Sequence, residues 1–149
     1  MGRRFSGDVN NRDEHIRPRV EPHRGEAWEP RYAGFFDCFN GGRYFEAHEV
    51  LEGLWLAQRR HADGRFYQGL IQLAGAFVHV QKRRPRPALS LLRRAQEHLS
   101  AYAPRHHGLA VNDVLGLIAQ WQERIQANPG GSIEQDPPRL ELGAFEPTR

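Results

Sequence analysis

The chain has 149 residues and a formal net charge of +3. This length is enough for one domain with a hydrophobic core, and so small a charge does not by itself indicate nucleic-acid binding. No apolar run reaches the roughly eighteen residues that a membrane-spanning helix needs, and the N-terminal stretch lacks the apolar core of a secretory signal. The single cysteine, Cys38, excludes an internal disulfide and fits a reducing compartment, so we predict a cytoplasmic protein.

Both ends of the chain lack the periodicity of helices or strands. Residues 1–28 are polar and charged, which predicts a flexible N-terminal arm. Residues 128–149 are rich in proline, glycine and acidic side chains, which predicts a mostly extended tail. Three apolar residues would let this tail dock on the domain or on a partner: Leu140, Leu142 and Phe145. Residues 29–127 are left as the folded domain.

Three helices are predicted in the first part of that domain. The first begins at Pro30, because proline suits the first position of a helix, and ends at Asn40, which two glycines follow. The second covers about residues 43–60. The third covers about residues 64–82, after Asp63, whose side chain suits a capping position.

Two further helices complete the predicted domain. The fourth opens at Pro85 and the fifth at Asn112 or Asp113, each with one apolar face, and residues 104–108 form a loop between them. No useful stretch alternates with a period of two, so no sheet is predicted. The predicted fold is therefore all-α, an antiparallel bundle of about five helices with short connections.

The second predicted helix carries polar residues in an apolar segment, YFEAHEVLEGLW. His48 and Glu52 are four residues apart, the spacing at which side chains touch on a helix. On a helical wheel both have apolar neighbours on either side, whereas Glu49 borders the polar sector. We therefore expect His48 and Glu52 to point inward, where a carboxylate without a partner is costly.

The third predicted helix offers partners for these groups. Between Arg65 and Lys82 no residue carries a formal charge, and Gln68, Gln72 and His79 share one stripe. Because an exposed helix face is normally rich in charged residues, this neutral face indicates close contact with another helix or a ligand. We predict a polar groove between the second and third predicted helices. Its expected ligand-binding residues are Tyr44, His48, Glu49, Glu52, Trp55, Tyr67, Gln68, Gln72 and His79.

Three interpretations of the groove stay open. It is a small-molecule pocket in which His48 acts as general base and Glu52 orients it, although no nucleophile motif accompanies them. Alternatively it holds a divalent metal ion through His48, Glu52 and His79, although their spacing matches no zinc signature. In the third interpretation the polar network only fixes helix register, within a non-enzymatic protein-interaction module.

A less favoured alternative is nucleic-acid binding through the arginine-rich connection between the third and fourth predicted helices. This connection contains Lys82, Arg83, Arg84 and Arg86. In many surfaces that bind single-stranded nucleic acid, aromatic side chains alternate with basic ones. Here they do not. A run of charges of this kind is usually a solvated surface.

Two long motifs resemble a known family. FNGGRYFEAHEVLEGLW and RFYQGLIQLAGAFVHVQKRRPRPALSLLRRAQEHL are similar to family 309 of the domains of unknown function, small all-helical bacterial and archaeal proteins. The similarity covers about residues 35–102. It implies a helical fold and a single site made from both stripes, but no reaction. The residues that carry over are Asn40, Gly42, Tyr44, Phe45, Glu46, His48, Glu49, Glu52, Trp55, Tyr67, Gln68, Gly69, Gln72, Ala74 and His79.

Overall fold

The computed structural model describes residues 14–146, and within them the fold is all-α, as predicted. Helix α1 covers residues 14–20 and continues into a 3-10 turn, Glu21–His23. The five predicted helices follow as α2 (Pro30–Asn40), α3 (Tyr44–Gln58), α4 (Gly64–Gln81), α5 (Pro85–Ser100) and α6 (Val111–Ala127). Strands β1 (Arg105–His106) and β2 (Leu109–Ala110) form an antiparallel hairpin between α5 and α6. From α2 to α6, each helix packs against the next one in the chain.

Local sequence explains where α2 begins and ends. Pro30 occupies the first turn, and the carboxylate of Glu29 accepts a hydrogen bond from the backbone N–H of Arg31 at 2.6 Å. This bond satisfies one of the donors that every helix start leaves free. The helix stops before Gly42, whose φ of 78° is a conformation that glycine adopts without strain.

The N-terminal segment contains a helix where the sequence predicted a flexible arm. In α1, Ile16 is buried and Val20 is packed against the core. The two residues are four apart, so they form a short apolar face that the surrounding charged residues obscure in the sequence. Arg19 also ties α1 to α3, donating a hydrogen bond to Glu46 at 2.7 Å. The part of the predicted arm before residue 14 lies outside the described residues.

The core runs through α2 to α6. Its aromatic rings meet edge to face, with Phe39 and Phe77 at 5.6 Å and Phe77 and Trp121 at 5.1 Å between ring centroids. The largest fully buried side chains are Tyr32, Phe35, Phe39, Phe66, Phe77, Leu51, Leu70, Leu73, Leu92, Leu99, Leu109 and Ile118. Burial of each large apolar side chain is worth about 1.5–3 kcal/mol, so these contacts dominate the stability of the fold.

The C-terminal segment docks on the domain, one of the two outcomes that the sequence left open. Leu140 is buried, and its backbone N–H and C=O both bond to the side chain of Asn40, each at 2.8 Å. Leu142 forms a β-bridge with Leu109 of the hairpin. The segment therefore lies against both α2 and the hairpin, although none of its described residues is helical.

Candidate functional site

The polar residues predicted on α3 lie beside the buried face of the helix rather than in it. The residues of α3 that the core buries are Tyr44, Ala47, Val50, Leu51 and Leu54. His48, Glu52 and Trp55 are each partly exposed. Phe45 and Leu56, the apolar neighbours of His48 and Glu52 on one side of the wheel, are 59% and 43% exposed. His48 and Glu52 are thus half-buried at the border of the core face, whose centre lies about a third of a turn from them, and their inward orientation stays a prediction.

One of the polar residues predicted on α4, Gln72, contacts α5. The side chain of Gln72 accepts a hydrogen bond from His98 Nδ1 of α5 at 2.8 Å. A Cβ on Gly69 would lie 2.8 Å from the Leu99 side chain of α5, so the two helices pack closely at that point. The neutral face of α4 does mark a contact with another helix, as expected, but the helix it contacts at these positions is α5. We call His48, Glu52, Gln68, Gln72 and His79 the α3–α4 surface.

Two imidazoles of the α3–α4 surface have a ring nitrogen without a partner among the described residues. These atoms are His48 Nδ1 and His79 Nδ1, both buried from solvent. Partial burial, together with the charges of Arg84 and Lys82, lowers the pKa of His79, so its imidazole is neutral at neutral pH. That the α3–α4 surface binds a ligand, rather than only packing helices together, stays a prediction.

A second polar cluster lies at the hairpin, in a region that the sequence analysis treated as a loop. Asp63, just before α4, receives a hydrogen bond from the Nε2 atom of His106 on one carboxylate oxygen and from that of His107 on the other, both at 2.8 Å. The two ring centroids are 4.2 Å apart. Among the residues that the structure describes, these form the one group of three possible metal ligands whose ligand atoms all lie within 4.8 Å of one another. We call Asp63, His106 and His107 the hairpin cluster.

The backbone of the turn places both imidazoles on the same side. Successive side chains of an extended strand point in opposite directions, so neighbouring histidines would normally diverge. Here His107 has a φ of 47° and Gly108 a φ of 72°, and this left-handed pair folds the second imidazole back beside the first. Tyr32 of α2 also holds the turn, because its hydroxyl donates a hydrogen bond to the His107 carbonyl at 2.8 Å.

Aromatic side chains surround the hairpin cluster. His106 lies 4.7 Å from Phe66 and 4.8 Å from Tyr102 between ring centroids. His107 is stacked on Tyr67 at 6.3 Å. The side chains of the cluster stay 27–34% exposed, so solvent still reaches them.

The charge state of Asp63 follows from its contacts. Partial burial works against ionisation, but the hydrogen bonds from His107 and His106 outweigh it and lower the pKa of the Asp63 carboxyl. The group is therefore a carboxylate at neutral pH. By contrast, burial raises the pKa of Tyr67 to about 12, which keeps its phenol protonated.

An open cavity of about 640 Å3 adjoins the cluster, and we call it the hairpin cavity. Its lining comes from the segment before α2, from α2, α4 and the hairpin, and from the C-terminal segment. The lining residues are Trp28, Glu29, Tyr32, Tyr67, Arg105, His106, His107, Gly108, Ala144, Phe145 and Glu146. Of the nine ligand-binding residues predicted from the sequence, Tyr67 is the one that lines it.

Local contacts hold the walls of the hairpin cavity together. Trp28 donates its indole N–H to the Gly143 carbonyl at 3.0 Å and meets Phe145 edge to face at 4.9 Å. The backbone N–H of Gly143 bonds to the Gly108 carbonyl at 2.8 Å. A Cβ on Gly108 would lie 2.6 Å from the Trp28 ring, so glycine is required there both for space and for its φ.

Sequence reasoning missed the hairpin cluster because its parts are far apart in the chain. Asp63 is separated from the two histidines by 43 and 44 residues and was assigned to a helix cap. Its side chain forms no capping bond in the structure. The one available signal was the pair His106-His107 next to a glycine, which marks a tight turn carrying two imidazoles.

The fold and the site together define an all-helical protein with a polar cluster and an aromatic-lined cavity at a short hairpin. A family model described as "Domain of unknown function (DUF309)" matches residues 32–91, which confirms the family resemblance over α2, α3, α4 and the start of α5. The matched segment includes Asp63 but neither histidine of the hairpin cluster. No curated protein and no solved structure matches the chain. No helix in the described part of the chain is long and apolar enough to cross a membrane.

Proposed function

We propose that the protein binds a small organic molecule in the hairpin cavity. The observation that carries this proposal is the lining, in which several aromatic rings converge with one exposed guanidinium, that of Arg105, on an open space of about 640 Å3. Binding sites for small molecules are typically concave, mostly apolar, and supplied with a few polar groups that fix orientation.

The lining also indicates the chemistry of the ligand. The rings of Trp28, Tyr67 and Phe145 offer faces and edges for a planar molecule. Arg105 supplies a positive charge. Of the two carboxylates in the lining, Glu29 is already engaged by the Arg31 guanidinium at 2.7 Å, and Glu146 is exposed to solvent. A planar aromatic anion therefore fits this lining best, with its charged group towards Arg105.

Three tryptophans in different environments allow a direct test. Trp28 lines the hairpin cavity, Trp55 lies on α3, and Trp121 is buried in the core. We would titrate 2-naphthoate into 15N-labelled protein and follow the three indole N–H signals. The proposal predicts that the Trp28 signal moves while the Trp55 and Trp121 signals do not.

Variants sharpen this titration. Arg105→Gln is expected to weaken naphthoate binding about tenfold, because it removes one charge-assisted contact. Arg93→Gln, at an exposed position of α5, is the matched control and should bind as wild type does. A shift of the Trp55 signal alone would indicate that naphthoate binds at the α3–α4 surface. A Trp28 signal that does not move at millimolar naphthoate would refute a binding site for aromatic anions in the hairpin cavity.

A second candidate function is protein interaction through the exposed face of α3. Phe45 and Leu56 are the specific observation in its favour, because large apolar side chains exposed on one helix often mark an interface. Phe45 also stacks on His48, with ring centroids 6.0 Å apart. This candidate predicts concentration-dependent self-association in sedimentation experiments that Phe45→Ser with Leu56→Ser abolishes, and a monomer at all concentrations would count against the simplest partner, a second copy.

A further inference from the structure

We propose that the hairpin cluster binds a divalent transition-metal ion, of the zinc or ferrous iron class, through Asp63, His106 and His107. This goes beyond the binding of an organic molecule in the hairpin cavity and does not depend on it. The inference rests on the donor set, on the geometry of the three ligand atoms and on the way the turn holds the two imidazoles.

The donor set is one that such metals prefer. Two imidazole nitrogens with one carboxylate oxygen bind zinc in catalytic sites and ferrous iron in the facial triads of non-haem enzymes. Thiolates, which would favour a closed structural zinc site, do not take part, because the single cysteine of the chain is buried in the core. Calcium and magnesium are disfavoured because they prefer all-oxygen sites.

The distances fit a metal polyhedron with little rearrangement. Each Nε2 atom lies 2.8 Å from a carboxylate oxygen of Asp63. Two ligands bound at about 2.1 Å from one metal ion lie about 3.0–3.4 Å apart for angles between 90° and the tetrahedral value. Both N···O distances are therefore within a few tenths of an ångström of those in a metal site, and all three ligand atoms lie within 4.8 Å of one another.

The imidazoles are held in place by groups other than the carboxylate. His106 packs against Phe66 and Tyr102, and His107 stacks on Tyr67. The left-handed conformation of His107 fixes the direction of the second ring. Such external support preorganises ligands, which raises affinity because less freedom is lost when the metal binds.

Three protein ligands leave coordination positions open. His106 and His107 both line the hairpin cavity, so an open position faces that space. A water molecule or an anionic group in the cavity would complete the coordination sphere. This arrangement is typical of metal sites that act on or recognise ligands rather than of closed structural sites.

The competing explanation is that Asp63 only anchors the hairpin to the start of α4 by accepting two hydrogen bonds. In that case each Nε2 atom permanently carries a proton and has no lone pair for a metal. The two explanations predict different affinities for metal ions. Only the metal site also predicts that this affinity requires His106 and His107.

The test is titration of tag-free, chelator-treated protein with Co(II) and Zn(II), followed by visible absorption and calorimetry, with no organic probe present. We expect one ion per chain, with Co(II) bands of a four- or five-coordinate site. His106→Gln and His107→Gln should each weaken binding about 100-fold or more, since loss of a direct ligand exceeds the 10- to 100-fold effect of a supporting contact.

Matched controls distinguish this site from others. His61→Gln changes an exposed histidine two residues from Asp63 and should leave metal affinity unchanged. His48→Ala combined with His79→Ala should also leave it unchanged, whereas loss of binding in that variant would place the metal at the α3–α4 surface. No binding at 100-fold molar excess of Zn(II), or equal affinity in wild type and His107→Gln, would overturn the proposal.

One measurement needs no variant and so does not depend on how the variants fold. Mn(II) or Co(II) should broaden the backbone amide signals of residues 62–67 and 105–109 in wild-type protein before those of other segments. Broadening elsewhere alone would refute the site. Naphthoate binding measured in the presence of chelator tests the hairpin cavity separately, so either proposal can fail without the other.

Discussion

The α3–α4 surface and the hairpin cluster are built from similar side chains, yet they are assembled in opposite ways. The first lies on two consecutive helices, and its residues stand out in the sequence as polar positions in apolar segments. The second joins a residue before α4 to a turn more than forty residues later. In the described residues, the group with converging ligand atoms is the one that the sequence did not single out.

This difference shows what a helical wheel measures. A wheel ranks directions around one helix, so it detects that a face is unusual but not which neighbour covers it. For α4, the neighbour at Gly69 and Gln72 is α5. The polar residues of α4 are thus explained in part by helix packing, and the experiments below test each region in turn.

The largest effect is expected at the contact between α4 and α5. Gly69→Ala would put a methyl group 2.8 Å from the Leu99 side chain, and such overpacking should lower the free energy of unfolding by about 2–3 kcal/mol. Urea denaturation measures this change. Gly116→Ala is the control, since nothing lies within 4 Å of its Cβ, and it should raise stability by about 0.5–1 kcal/mol. If Gly69→Ala were as stable as wild type, α5 would not pack closely against α4 at this position.

A smaller effect is expected where α2 holds the C-terminal segment. Asn40→Ala removes two hydrogen bonds to the backbone of Leu140 and should cost about 2 kcal/mol, because the backbone groups lose their partner on a largely buried residue. Limited proteolysis should then cut the segment around residues 140–146 sooner than in wild type. Asn112→Ala, at an exposed position, is the matched control. Unchanged proteolysis would show that the segment docks without the two hydrogen bonds between Asn40 and Leu140.

Removal of the Asp63 carboxylate tests the hairpin cluster without metal. With chelator present, Asp63→Ala should lower the free energy of unfolding by about 1–2 kcal/mol, because two partly exposed hydrogen bonds from imidazoles are lost. Asp113→Ala controls for the loss of a negative charge near a helix N-terminus, worth about 0.3–1 kcal/mol. Equal losses in the two variants would mean that the hydrogen bonds to His106 and His107 contribute nothing.

The fold was predictable from the sequence to the extent that it depends on local patterns. Proline and glycine positions and the 3.6-residue period located α2 to α6, with ends close to those observed. The hairpin was not predictable, because each strand has two residues and offers no period to detect. The cluster was not predictable either, since the meeting of Asp63 with His107 depends on tertiary packing and on one left-handed residue.

The smallest effect is expected at His23, which reverses the arrangement of the hairpin cluster. In the hairpin cluster, two imidazoles share one carboxylate. At His23, two carboxylates share one imidazole, with Glu26 at 2.7 Å and Asp37 at 2.6 Å. Partial burial works against protonation, but the bonds to Glu26 and Asp37 outweigh it and raise the pKa of His23. Because the carboxylates lie on opposite edges of the ring, they do not converge as metal ligands do.

This raised pKa gives a pH dependence of definite sign. The folded protein binds the His23 proton more tightly than the unfolded chain, whose histidines titrate near pH 6.5. The stabilisation is therefore complete below about pH 6.5 and is lost as the pH rises through the raised pKa. Wild type should exceed His23→Gln in stability by about 0.5–1 kcal/mol near pH 6, and the difference should shrink towards pH 9. His61→Gln, at an exposed position, is the matched control, and a His23→Gln difference that grows with pH would contradict the assignment.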